Sequence, residues 1–192
     1  MYDIYKQARD AAWQFLINNN ITLLPVNLAN VCRNNNIRLF RDTKSIYLSE
    51  SDKGATYLRD NQFYIFVNGL DSAAVQRYTV GHELGHIFLQ HPMKNGKYGR
   101  SFGVQGKPKS KIEYQAERFA IDILAPSCVL WALNLHTAEE ISEICNISIQ
   151  AATHRAERME ILYQRNSFLK HPLERQVFER FKRYIEMHNN IE

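Results

Sequence analysis

Cysteine is scarce in this chain. Cys32, Cys128 and Cys145 are odd in number and far apart, with no C-x-x-C pair. That excludes a disulfide framework and a cysteine zinc site, and it fits buried or semi-buried thiols of a reducing compartment. Long apolar runs are missing too, so no membrane span is expected. The opening residues Met1-Tyr2-Asp3-Ile4-Tyr5-Lys6 show no basic region followed by an apolar core, and no secretory signal is expected there. Charge of one sign is thin: +4 net over 192 residues, little for a dedicated nucleic-acid binder. With no internal repeat or low-complexity tract, the chain reads as a cytoplasmic globular protein with no membrane partner.

What is present can build a core. Hydrophobic residues make up 45% of the chain, with 10 Phe and 10 Tyr. Residues 3–18 carry Ile4, Ala8, Ala11, Ala12, Phe15 and Leu16 at helical spacing. Pro25 is expected to open a second, short helix at its first turn. Ile37–Phe40 alternates as a strand, 45–48 and 54–58 are candidates for further strands, and Phe63–Val67 is the clearest strand. A helix is expected over about 71–90, capped by Asp71 or Ser72. Residues 91–110 form a basic, glycine-containing loop, either a solvated connection or a flap. Helical spacing resumes over 111–125 and stops at Pro126. Thr137-Ala138-Glu139-Glu140 is a capping-box sequence opening another helix. A further helix follows Ile147-Ser148, and Pro172–Met187 is a charged amphipathic one.

The chemistry lies in the 71–90 helix, where His82-Glu83-Leu84-Gly85-His86 gives the pattern H-E-x-x-H. Residues four apart share a helix face, so both imidazoles can reach one ion. Zinc suits a mixture of nitrogen and carboxylate ligands. Glu83, one residue past the first histidine, lies beside the ligands, where it can act as general base on a metal-held water. Gly81 and Gly85 cost roughly 1 kcal/mol each in helix propensity, which suits a close approach to the helix.

Two histidines leave zinc short of a third protein ligand. A metzincin would need Gly at 89 and His at 92, where the chain has Leu89 and Pro92. Glu113 and Glu117, at i and i+4 on the following helix, are the candidates: one as ligand, the other hydrogen-bonding a histidine. His91, five residues past His86, is expected to point off the ligand face as a helix-end histidine favoured by the dipole.

These segments resemble a family. His82-Glu83-Leu84-Gly85-His86, followed by Glu113-Tyr114-Gln115-Ala116-Glu117-Arg118-Phe119-Ala120-Ile121-Asp122-Ile123-Leu124-Ala125-Pro126, is similar to the pattern of the ImmA/IrrE metallopeptidases: H-E-L-G-H, then E-x-x-A-N-x-F-A-x-x-L-L-x-P. Pro25-Val26-Asn27-Leu28, Ile65-Phe66-Val67-Asn68 and Ile147-Ser148 through Arg155 extend the likeness over roughly residues 1–160. Glu117 stands where the family has Asn or Asp, and Ala156 where it has Leu.

The resemblance implies His82, His86 and Glu113 as metal ligands, for zinc with manganese as the other ion such a site accepts, and Glu83 as the catalytic base. It implies an α+β fold, mostly helical and zincin-like, with a small sheet before the H-E-x-x-H helix; the C-terminal helix, read from its own spacing, lies beyond the likeness. The expected organisation is a metallopeptidase domain over 1–165, including a helix-turn-helix-like segment at 139–160, and a C-terminal amphipathic helix over 166–192. It further implies an endopeptidase acting on a helix-turn-helix transcriptional repressor of a mobile element or stress regulon.

Tyr98, Tyr114, His136 and His154 are candidate oxyanion donors. An extended substrate is expected to pair with a sheet edge at strand 63–67. The competing class is a non-catalytic zinc-containing regulatory module acting through protein or DNA contacts. Its recognition helix would offer DNA only His154, Arg155 and Arg158, so direct DNA binding is not expected.

Overall fold

The computed structural model describes residues 2–49, 51–93, 96–99 and 110–189. The fold is α+β and mostly helical, as expected, with one small sheet. The chain divides into two compact units: Met1–Ala8 with Asn27–Ala120, and Arg9–Val26 with Ile121–Glu192.

The first unit holds the sheet. β1 (Ile37–Asp42), β2 (Gly54–Arg59), β3 (Gln62–Asn68) and β4 (Lys97–Gly99) lie in the order β1-β3-β2-β4. β1 runs parallel to β3, whereas β2 is antiparallel to both β3 and β4. β2 and β3 form a hairpin whose two turn residues, Asp60 and Asn61, have φ of 50° and 58°. Asp and Asn tolerate that left-handed region, and two positive φ values match the twist of tight hairpins.

Alternation sorts the strands' side chains onto two faces. Thr56 and Ile65, register partners, are fully buried. Ala55 and Phe66 point the other way and join Leu48, with Tyr57 and Tyr64 packed alongside. Tyr47 stacks on Phe66 there, ring centroids 4.2 Å apart.

Three expectations need correction. Residues 45–48 are not a strand, because their backbone turns to the Asp42 carboxylate, which accepts N–H bonds from Lys44, Ile46, Tyr47 and Leu48. The second helix, α2 (Leu28–Asn34), starts three residues after Pro25; its cap is Asn27, whose side chain accepts from Asn30 N–H. β3 is no edge either: β1 and β2 take both its sides, which rules out substrate pairing along 63–67. Of the expected flap, 94–95 and 100–109 lie outside the described residues; the piece at 97–99 is β4.

α3 (Ala73–Phe88) follows β3, with Ser72 as its cap, and every residue from Thr79 to His86 is buried. α4 (Lys111–Leu124) begins behind Ser110, whose hydroxyl accepts from the Glu113 N–H at 3.4 Å. Gly85 explains how α3 and α4 meet. A Cβ there would sit 3.0 Å from both the Cα and the carbonyl oxygen of Ala116, so any side chain at 85 would press on that backbone.

The second unit is helical. It includes most of α1 (Tyr2–Asn18) and the end of α4, then α5 (Ser127–Ala132), α6 (Ala138–Cys145), α7 (Ile149–Gln164) and α8 (Pro172–Asn189). Thr137 and Glu140 close the expected capping box on α6. Asn146, at φ 49°, ends α6, and Ser148 caps α7. Leu16, Leu130, Ile141, Met159, Val177 and Phe181 are among its fully buried apolar residues.

Arg155 is buried there as well. It donates to Asp122 Oδ1 at 3.0 Å and to the Ala125 carbonyl oxygen, so it is not a group that faces DNA. His154 beside it is exposed, against Glu157.

The three cysteines are buried thiols. Burial pushes the Cys32 thiol up to about 11 and raises Cys128 further, which keeps both protonated and unreactive. No helix among the described residues is long and apolar enough to cross a membrane.

Candidate metal centre

One turn of α3 separates His82 from His86, and their Nε2 atoms lie 3.0 Å apart. Nitrogens that close either share a proton or aim both lone pairs at a cation. Glu113, in the first turn of α4, completes the group: Oε2 is 3.2 Å from His82 Nε2, and Oε1 is 3.5 Å from His86 Nε2. His82 and His86 are 0% and 3% exposed, while the Glu113 side chain keeps 24%.

All three ligand atoms fall within 4.8 Å of one another, so the group could hold a metal ion. Donors about 2.0 Å from a tetrahedral ion stand about 3.3 Å apart, and the observed separations bracket that spacing. Glu117, one turn further along α4, is outside the group. The donor set of two imidazoles and one carboxylate therefore fits a small divalent ion.

Glu83 is fully buried between α3 and the sheet, where Thr56 Oγ1 donates to its Oε2 at 2.7 Å. Gly54 makes that approach of β2 to α3 feasible, since a Cβ there would collide with the methyl group of Thr79. Thr56 was not legible as a site residue: between Ala55 and Tyr57 it reads as an ordinary β-branched strand residue.

His91 is placed differently from expectation. The helix stops at Phe88, and Gln90 turns the chain back at φ 52°. The N–H of Gln90 bonds the Ile87 carbonyl oxygen and that of His91 the His86 carbonyl oxygen, at 3.1 and 3.0 Å. This is the Schellman pattern of helix termination. It folds His91 back onto His86, their Nδ1 atoms 2.9 Å apart, so helical spacing carried past residue 88 misplaces it. Its other nitrogen, Nε2, meets Gln115 Oε1 at 3.2 Å. Burial lowers the His91 pKa, outweighing Gln115 and Glu113, and favours a neutral ring over a charged helix-end one.

Of the candidate oxyanion donors, Tyr114 is exposed on α4, and His136 stacks on Tyr163 within the second unit. The Tyr98 side chain lies outside the described residues.

Residues 34–157, about two thirds of the chain, match the M78 peptidase model described as the IrrE N-terminal-like domain. The chain belongs to the ImmA/IrrE peptidase family. No curated protein sequence matches it significantly. Both segments of the centre, the α3 motif and Glu113, fall within the ImmA/IrrE match. So do Thr56 and Gln115, for which the sequence pattern gave no role, and His91, which it read as a helix-end histidine.

Proposed function

We propose that this ImmA/IrrE protein is a zinc-dependent endopeptidase that cleaves a helix-turn-helix transcriptional repressor in the cytoplasm. The observation that carries the reading is the convergence of His82, His86 and Glu113, with buried Glu83 one residue along the same helix. His82 and His86 would hold the ion through Nε2, and Glu113 through its carboxylate. A zinc ion so held lowers the pKa of coordinated water towards neutrality and polarises a peptide carbonyl; manganese suits the same donors.

The remaining work belongs to the chain. Glu83 accepts the proton of the attacking water and delivers it to the leaving amine. Thr56 holds the Glu83 carboxylate by its hydrogen bond to Oε2, fixing the base in one rotamer within the buried site. The backbone contact at Gly85 sets the distance from α3 to Glu113.

The choice of repressor rests on resemblance to the family. A cytoplasmic protease also needs a narrow substrate range, which specific docking of one protein provides. Buried, protonated thiols support the cytoplasmic assignment. Direct DNA binding is not part of the proposal, in keeping with the engagement of Arg155 by Asp122.

The test is to express wild type and Glu83→Gln in the native host and label newly formed protein N-termini. Wild type should generate a new terminus inside a helix-turn-helix repressor, and the variant should lower its rate by roughly 10²–10⁴-fold while keeping its metal. Release of the repressor's promoters undiminished in Glu83→Gln would instead establish a non-catalytic regulatory module.

A further inference from the structure

We propose that His91 is a positioning residue for the metal centre: held by Gln115 as the Nε2–H tautomer, it accepts a hydrogen bond from His86 Nδ1–H and so presents His86 Nε2 bare towards His82 and Glu113. The inference rests on the metal-centre reading and concerns a residue outside the ligand set.

Three contacts run in series. His86 Nδ1 meets His91 Nδ1 at 2.9 Å, His91 Nε2 meets Gln115 Oε1 at 3.2 Å, and Gln115 Nε2 donates to Gln7 Oε1 at 3.3 Å. An amide oxygen only accepts, so His91 Nε2 carries the hydrogen. A neutral imidazole has one N–H, so His91 Nδ1 is an acceptor, and at 2.9 Å it must accept from His86 Nδ1–H. The neutral His86 ring then has its lone pair at Nε2, the atom 3.0 Å from His82 Nε2 and 3.5 Å from Glu113 Oε1.

The opposite polarity would need a flipped Gln115 amide and a hydrogen on His91 Nδ1. It would place the remaining His86 hydrogen on Nε2, where a metal has to bind. With Gln115 as placed, its Nε2 faces Gln7 Oε1 at 3.3 Å.

Metal-binding histidines commonly give their second N–H to a carboxylate, a carbonyl or water. A neutral ring does the same job without adding negative charge beside Glu113. The backbone reinforces the pairing, since His91 N–H also bonds the His86 carbonyl oxygen at 3.0 Å. The two rings meet edge to face at 72°, centroids 4.9 Å apart.

Long-range proton–nitrogen NMR on the metal-free wild-type chain reads the tautomers without any substitution. The expected result is His86 Nδ1–H with His91 Nε2–H; a His86 ring without a hydrogen on Nδ1 overturns the proposal. Zinc affinity, read by chelator competition on folded protein, gives the second readout. His91→Phe, which keeps a ring but offers no acceptor, should weaken zinc by roughly 10–100-fold. His91→Gln, whose amide oxygen can accept from His86, should recover most of that loss.

Wild-type affinity in His91→Phe, or equal losses in both variants, overturns the proposal while leaving the metal centre standing. A wild-type chain that takes up no zinc overturns both.

Discussion

Arg155 and the His82–His86 pair are buried to nearly the same degree, at 1%, 0% and 3% exposure, but their surroundings differ in kind. Around Arg155, donors meet acceptors: guanidinium hydrogens point at Asp122 Oδ1 and the Ala125 carbonyl oxygen. In the α3–α4 group, two ring nitrogens and a carboxylate turn lone-pair atoms toward one another across 3.0–3.5 Å. Burying charge is costly unless it is compensated. The Arg155 pair brings its own compensation and serves packing. The histidine group becomes favourable once a proton or a metal ion sits among its atoms. That difference separates a buried polar residue kept for stability from one kept for chemistry.

The sharpest break should come at Arg155. Arg155→Met leaves Asp122 buried without its guanidinium and should cost about 3–5 kcal/mol in denaturant melts. Adding Asp122→Leu should recover most of that loss. A single-variant cost within experimental error would remove one side of the contrast.

Glu113→Ala should do the reverse, leaving the melting of metal-free protein nearly unchanged while weakening zinc by more than about 100-fold, beyond the usual loss of an outer partner. Metal content after purification without added metal reads this directly, with Glu117→Ala as the control that keeps its metal. Equal losses in the two variants would put the ligand assignment aside.

Gly85→Ala tests whether the spacing of the group is built into the backbone. The added methyl group meets Ala116 and should cost about 1–3 kcal/mol, with weaker zinc binding as α4 is displaced from α3. Wild-type stability and affinity together would show that the contact is soft.

The smallest effect concerns another buried carboxylate, Asp42. Burial raises its pKa, but N–H donors from Tyr47, Ile46, Leu48 and Lys44 outweigh that and hold it below the ordinary value. A depressed folded pKa stabilises above the unfolded value of about 3.9, and this is lost as pH falls through the folded value. Asp42→Asn should therefore narrow the stability difference between pH 7 and pH 2. An unchanged difference would show that its charge contributes nothing.

Much of this was written in local sequence. H-E-x-x-H at helical spacing, Ser72 ahead of α3 and the Thr137–Glu140 box all act within a few residues, where periodicity and capping rules operate. The glycine in the motif correctly signalled a close approach, although only the fold identifies Ala116 as the neighbour.

What stayed hidden depends on contacts between distant elements or on a change of backbone course. Thr56 reaches Glu83 across 27 positions, and Gln115 reaches His91 across 24. His91 was misplaced because one left-handed residue, Gln90, ended the helical spacing. Residues 45–48 look strand-like until the Asp42 carboxylate takes up their N–H groups.

The central position of β3 has a further consequence, for solubility. Phe63-Tyr64-Ile65-Phe66-Val67 is uncharged, proline-free and rich in β-formers, the composition of segments that stack into cross-β fibrils. In the folded chain β1 and β2 occupy both of its hydrogen-bonding edges, so it offers no template to another molecule. That protection exists only after the β2–β3 hairpin and the parallel β1 pairing have formed. The interval between synthesis and sheet completion is therefore when this protein is most exposed to self-association.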